Sequence, residues 1–367
     1  MKVLMLLSNP YLPDARVYRE AQSLINRGHE VSIIAWDRRG GFPEKETMEG
    51  VRVVRTGPKF RGKRHFISDI RKFWKNAYDL SKKLDFEIIH AHDFDTLPLG
   101  VKIKKRTGAP LLFDAHETYS EMIRIDVPNF IAHMVQHLEN RYLKWVDRMI
   151  VVNEHQRSFY SKRFPVDRID VVMNAKPALK DEKKAKDLRK EMGIGDEIAL
   201  IYIGALERER FVREMADMAG SLEGVRFIIG GYGAEEDYIR KRVGKKGLRY
   251  LGFVHPEEVV LYSAAADLIV SMYREVQTDR IATKFFDAVA AGRGMIVADN
   301  GELTAKLVKK YGGGVVCDYS KESFSKAIKS LKREDVERMG KAMRSLRSEY
   351  SWEAMEKRLL NAYESLH

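Results

Sequence analysis

The stretch DRIATKFFDAVAAG, Asp279 to Gly292, holds two carboxylates, a lysine and the start of a helix pattern. Thr283 is expected to cap a helix whose Phe285, Phe286, Val289 and Ala290 form an apolar face, with Gly292 as its stop. The first turn of a helix leaves backbone amides free. Together with the Lys284 ammonium these amides suit a phosphate, and Asp287, one turn on, suits the hydroxyls of a sugar. The same pattern also fits a surface helix with a capped end.

Other segments repeat the theme. After the apolar run ending at Gly204, ALERERF supplies Arg208 and Arg210 at a helix entry, and arginine pairs bidentately with diphosphates. FIIGGYG places Gly230, Gly231 and Gly233 after another run, where missing side chains admit a close ligand. Earlier in the chain HAHDFDT ends one apolar run and FDAHETYSE the next. These bring His90, His92, Asp93, Asp95, Asp114, His116 and Glu117 to two successive strand ends. Metal ligation by this set ranks below substrate hydrogen bonding, because His90 and His92 share one face of a strand. SNPYLPDARVYREA stands where a dinucleotide-binding protein carries its glycine-rich turn, and it has no glycine. Asp14 and Arg16 there either start a helix or contact an acceptor.

Strand and helix patterns alternate along the whole chain, which predicts doubly wound parallel sheets. Apolar runs at Lys2–Ser8, Glu30–Trp36, Val51–Arg55, Phe86–His92, Pro110–Ala115, Met149–Asn153 and Ile169–Met173 precede a charged stretch at Ala175–Lys190. A second series runs from Ile198–Gly204 to Gly314–Cys317. We therefore expect an N-terminal Rossmann-like domain over 1–175, a second over 176–350 and a C-terminal helix over 351–367 that packs back on the first. Two domains suit 367 residues. A single cysteine, Cys317, rules out an intrachain disulfide and points to a reducing cytoplasm. The run VLMLL is too short for a signal segment, and no segment is long enough to cross a membrane. A formal charge of +12 favours acidic partners. It is concentrated in Val51–Leu84, with eleven basic residues against two acids.

In order and spacing these segments resemble a retaining glycosyltransferase of family 4, with two Rossmann-like domains facing a cleft, the GT-B architecture. The matching stretches are DARVYREAQSLINRGHEVSIIA, HAHDFDTLP, FDAHETYSE, VDRMIVVNE, RIDVVMNAKP, LIYIGAL, FIIGGYG, HPEEVVLYSAAADLIVSM and TKFFDAVAAG. The resemblance implies a C-terminal domain that binds a nucleotide-sugar and an N-terminal domain that binds the acceptor. Arg210 then takes the place of a diphosphate-binding lysine, helped by Lys284 and the Thr283 amides. Asp279 and Asp287 stand for the family's two glutamates, binding the transferred sugar and the ribose. His116 lies beside the reacting sugar. Donor binding extends to Gly204, Arg208, Gly231 and Gly233, and acceptor binding to Asp14, Arg16, His92, Asp93 and Glu117. Departures are the shortened carboxylates, Ala205 where many relatives have arginine, Arg293 and Gly294 after the helix glycine, and Glu275 as a rival to Asp279.

The expected reaction moves a sugar from a nucleoside diphosphate sugar to a hydroxyl of a glycan or lipid-linked acceptor, with retention of configuration and without a metal or other cofactor. The alternative keeps the fold as a catalytically silent nucleotide- or glycan-binding partner. Nucleic-acid binding rests on charge alone and lacks a recognition module. The basic region 60–84, with aromatic residues among its charges, is a candidate for peripheral contact with an anionic membrane. The other reading of that region is a core-facing helix with a solvated basic back.

Overall fold

A computed structural model describes residues 1–119, 129–244, 246–274 and 281–366. The chain divides into two compact units, Met1–Met173 with Met355–His367, and Asn174–Ala354.

In the first unit an eight-stranded sheet runs β3-β4-β2-β1-β5-β6-β7-β8. The strands are β1 Lys2–Leu7, β2 Glu30–Ala35, β3 Lys45–Met48, β4 Val51–Arg55, β5 Ile88–His92, β6 Leu111–Ala115, β7 Arg148–Val151 and β8 Ile169–Val171. All neighbours are parallel except β3, which runs antiparallel on the edge against β4. Helices cover both faces of a parallel sheet, so its inner strands must be apolar throughout. Accordingly, Val3 to Leu7 of β1 and every residue of β5 and β6 are buried.

After β1 the chain turns into the helix Ala15–Asn26, whose start is fixed by the Asp14 carboxylate accepting from the Arg16 and Val17 amides. That helix buries Arg16, Val17, Glu20, Ala21 and Leu24, so two charged side chains enter the core with the apolar ones. The last helix, Trp352–Glu364, returns to this unit. Met355, Leu359, Ala362 and Tyr363 are fully buried, and Arg358 donates to the Val171 carbonyl at 3.2 Å.

The second unit is a six-stranded, wholly parallel sheet ordered β11-β10-β9-β12-β13-β14. Its strands are β9 Ile198–Ile203, β10 Val225–Gly230, β11 Leu248–Tyr250, β12 Leu268–Ser271, β13 Gly294–Ala298 and β14 Gly314–Cys317. Within the unit this is the order 3-2-1-4-5-6 of a doubly wound nucleotide-binding fold. Its strand order reverses between β9 and β12, where such sheets open a crevice at their carboxyl ends. Helix Thr283–Ala291, which follows β12, buries every residue from Lys284 to Ala291. It ends at Gly292 (φ 65°), where a Cβ would meet the Arg344 Cγ at 2.3 Å. Among the described residues no helix is long and apolar enough to cross a membrane.

Candidate functional site

Beside the switch point the loops after β9, β10 and β11 are joined backbone to backbone. Gly204 N donates to Gly230 O at 3.0 Å, Leu206 N to Tyr232 O at 2.9 Å, and Gly231 N to Gly252 O at 2.7 Å. A Cβ on Gly231 (φ 127°) would lie 1.8 Å from the Gly204 oxygen, and one on Gly233 (φ 153°) 2.6 Å from the Leu206 oxygen. These glycines therefore permit loop-on-loop packing first, and the bare backbone they leave is its consequence.

Lys284 reaches under this platform. Its ammonium donates to the Ile203 carbonyl and lies 4.3 Å from the centroid of the Tyr202 ring, with a residue exposure of 5%. A Cβ on Gly204 would come within 3.2 Å of that nitrogen. Among the described residues the ammonium has no carboxylate partner, so a buried cation is held only by neutral groups at a strand end. Asp287 is buried one turn along the same helix. Arg210 stacks over Tyr273 at 4.5 Å and pairs with Glu207 at 3.1 Å, while Arg208 is exposed beside it.

Thr283 does not cap the helix. Ala282 occupies the N-cap position without a side-chain bond, and its amide is satisfied by the Thr304 hydroxyl at 2.8 Å. Thr283 is instead the first helical residue, with its side chain exposed. The amides of the first turn are therefore not occupied by a Thr283 cap. Asp279 and Glu275 lie outside the described residues.

In the first unit eight polar side chains, from the helix Ala15–Asn26, from β5, β6 and the loops after them, and from the last helix, meet near the ends of β5 and β6. Asp114 is fully buried and receives both arms of Arg16, Nε at 3.0 Å and Nη2 at 2.9 Å. Arg16 also donates to the Val172 carbonyl at 2.7 Å and stands 3.1 Å from Glu20. His116 bridges Asp114 through Nε2 at 2.9 Å and Asp93 through Nδ1 at 3.3 Å. Asp93, in the left-handed region at φ 61°, also accepts from the His116 amide at 3.2 Å. His90 and His92 share one strand face, as alternation requires, with ring centroids 3.9 Å apart. His90 Nδ1 shares a hydrogen bond of 2.6 Å with the Tyr363 hydroxyl.

The charges follow from these contacts. Burial alone would lower the His116 pKa, but Asp114 and Asp93 outweigh it and push it up to about 9, leaving an imidazolium at neutral pH. Burial would raise Asp114, yet Arg16 and then His116 hold it well below the usual carboxylate range. Burial dominates at Glu20, pushing it up to about 8, and it lowers both His90 and His92. Glu20, His90, His92 and Asp114 bring ligand atoms within 4.8 Å of one another, a spacing compatible with a cation. The Arg16 guanidinium already supplies positive charge to both carboxylates, so a cation would have to displace it.

The network corrects the acceptor-binding expectation for two residues. Arg16 and His92 are 6% and 2% exposed and turned inward, the Arg16 guanidinium bonded to Asp114 and Val172 and the His92 ring to His116 through Nδ1. They position His116 and do not present themselves to a ligand. Asp14 caps its helix, while Glu117 is exposed and His116 and Asp93 are partly so.

Two family models match the sequence: "Glycosyltransferase Family 4" over residues 15–175 and "Glycosyl transferases group 1" over residues 197–334. Together they span most of the chain. The chain belongs to glycosyltransferase family 4. No curated protein matches the sequence. Solved structures similar to this family 4 glycosyltransferase include sucrose-phosphate synthase from Thermosynechococcus elongatus, at TM-score 0.73 and 15% identity, covering 100% of this chain and 99% of that one. A glycosyltransferase from Rickettsia africae gives 0.72 and 14%, covering 100% and 98%. Anabaena HepE in complex with UDP and glucose gives 0.67 and 14%, covering 100% of both. At these identities the likeness is one of fold, and the architecture is the GT-B pairing of two α/β domains with parallel sheets.

The structure of this glycosyltransferase adds residues that the sequence did not single out. Tyr232 and Phe253 are 65% and 56% exposed, 5.8 Å apart, at the ends of β10 and β11 beside Gly231. Ser271, at the end of β12, is buried, and its hydroxyl has no partner among the described residues. Glu20 is buried beside Arg16. Two exposed aromatics flanking glycines were a signal in FIIGGYG and LGFVHPE; Ser271 and Glu20 gave none.

Proposed function

We propose that this glycosyltransferase moves a sugar from a nucleoside diphosphate sugar to a hydroxyl of a glycan or lipid-linked acceptor, with retention of configuration. The observation that carries the donor site is Lys284, a buried ammonium whose partners among the described residues are neutral, set against the bare backbone of Gly204. Arg210 and the N-terminal turn of the helix that starts at Thr283 add positive character to the same strand ends. All three oppose the charge that builds on a departing diphosphate, and fixed groups do so without reorganising. Asp287 serves the ribose hydroxyls, and Asp279 the transferred sugar. The exposed Tyr232 and Phe253 rings offer a stacking face for a base.

Several similar structures contain or act on uridine nucleotides, HepE with UDP and with UDP-glucose and a trehalose-phosphate synthase described as UDP-forming, which makes uridine the first nucleotide to test. His116, as an imidazolium, is suited to a sugar hydroxyl or to developing negative charge in the acceptor-binding unit. We assign the protein to the cytoplasm, with no metal required for leaving-group departure.

The test is calorimetric titration of the full chain with UDP, GDP and their glucose and mannose conjugates. Lys284→Met, which keeps the buried stem, should weaken nucleoside diphosphate binding about tenfold to hundredfold, the range of a lost charged hydrogen bond. Asp287→Ala should weaken the same ligand. Product anomers read by NMR decide retention. A well-folded protein that binds no nucleoside diphosphate overturns the proposal.

A further inference from the structure

Helix Asn129–Leu143 of the first unit buries only part of its apolar surface and leaves large apolar side chains facing outward. Ala132, Glu139 and Leu143 are its buried residues. Phe130, Met134 and Leu138, at 70%, 56% and 37% exposure, stand on the outward side, joined by Trp145 at 41% just past the helix end. Four of the eleven large hydrophobic side chains that are exposed among the described residues thus fall within residues 130–145. At 3.6 residues per turn Phe130, Met134 and Leu138 lie within roughly a quarter of the circumference. A soluble helix normally turns such a stripe to the core, and a cluster of this kind marks a surface that is covered in use.

The charges around the stripe identify what covers it. Arg141 lies within the stripe, and His133, His137 and Lys144 are exposed along its flank. From the neighbouring helix Leu97–Thr107, Lys105 extends over the Trp145 ring at 4.2 Å. No exposed acid occurs between residues 129 and 145: Glu139 is 1% exposed, bonded to Tyr160 at 2.8 Å and Arg163 at 3.1 Å. The nearby Asp147 is held by Lys104. Within residues 129–145, apolar anchors with a tryptophan at the margin and only cationic or neutral exposed companions complement an anionic lipid surface.

We infer that the helix Asn129–Leu143, with Trp145 and Lys105, is a docking surface for an anionic membrane. The basic helix Phe66–Ser81 makes the contrast. Its Phe73 is buried and stacked on Trp36 at 5.5 Å, Trp74 donates to the Asp95 carbonyl, and only Ile67 among its large apolar residues is freely exposed. It offers charge without anchors. The inference does not depend on the donor-site reading, since it concerns attachment and not chemistry.

The test is sedimentation of the full chain with phosphatidylcholine vesicles prepared with or without phosphatidylglycerol. Binding is expected only with the anionic lipid. Phe130→Ser combined with Leu138→Ser should lower it about tenfold or more, while far-UV circular dichroism is unchanged because both residues are exposed. Lys105→Gln with Lys144→Gln should lower it about twentyfold, roughly fivefold for each cation lost near the surface. Arg71→Gln with Lys75→Gln, on the other basic helix, should have little effect. Failure to pellet with anionic vesicles overturns the inference, as does binding lost only in the Arg71 and Lys75 variant. Sedimentation velocity supplies a third refuting result: self-association abolished by the Phe130 and Leu138 changes would mean that a second copy covers the stripe.

Discussion

Asp114→Asn removes one negative charge from the centre of the first unit, and its effect on pH dependence can be worked through. In the wild type the carboxylate, with Asp93, lifts His116 from its ordinary 6.5 to about 9. A folded-state pKa raised above the unfolded value contributes stability that is fully present below about pH 6.5 and is lost as pH rises through about 9. The span of some 2.5 units corresponds to about 3 kcal/mol. Glu20 acts with the same sign, because a carboxyl pushed up to about 8 keeps its proton when folded and loses stability as pH rises towards that value.

In the asparagine variant His116 loses its principal counter-ion, and Glu20 becomes the remaining carboxylate beside Arg16. The His116 pKa should fall to its ordinary value or below, and the loss of stability between about pH 6.5 and 9 should largely vanish. Total stability should fall by about 3–5 kcal/mol, the cost of breaking a buried ion pair. The assay is urea unfolding across this pH range, paired with NMR titration of the His116 ring. A wild-type His116 that titrates below pH 7, or an unchanged pH slope in the variant, would refute the reasoning.

Gly231→Ala should destabilise the second unit by about 3 kcal/mol or more, since the new methyl would sit 1.8 Å from the Gly204 oxygen at a φ that side chains avoid. Thermal melting checks this, and nucleoside diphosphate binding should fall with it. Tyr363→Phe leaves the buried His90 Nδ1 without its hydroxyl partner and should cost about 1–2 kcal/mol in urea unfolding, with no change in nucleotide affinity.

The inner strands were legible because parallel strands covered on both faces are unbroken apolar runs, as in VLMLL and LIYI. β3 was not, because KETM is a short, half-exposed edge strand whose composition resembles a loop. Lys284, Gly204 and Gly231 could be read as strand-end groups from local spacing. The polar network could not. Its members lie at positions 16, 20, 90, 92, 93, 114, 116 and 363, and local patterning says nothing about which distant charges will meet. For the same reason Arg16 and His92 were expected at a ligand surface: the sequence shows a charged residue near a strand end but not the partner that draws it inward. Thr283 is not a cap because the helix begins one residue earlier than the pattern suggested, with Ala282 at the N-cap and Thr283 already helical.

Tyr363 and Met355 carry a consequence for how the molecule comes into being. The first unit's interior is completed by residues synthesised after all 181 residues of Asn174–Ala354. Until then His90 lacks its hydroxyl partner, and the apolar groove that takes Leu359 and Ala362 stands open on the ribosome. The second unit, contiguous in sequence, can close on itself first. The N-terminal half of this enzyme is therefore translated first and finished last.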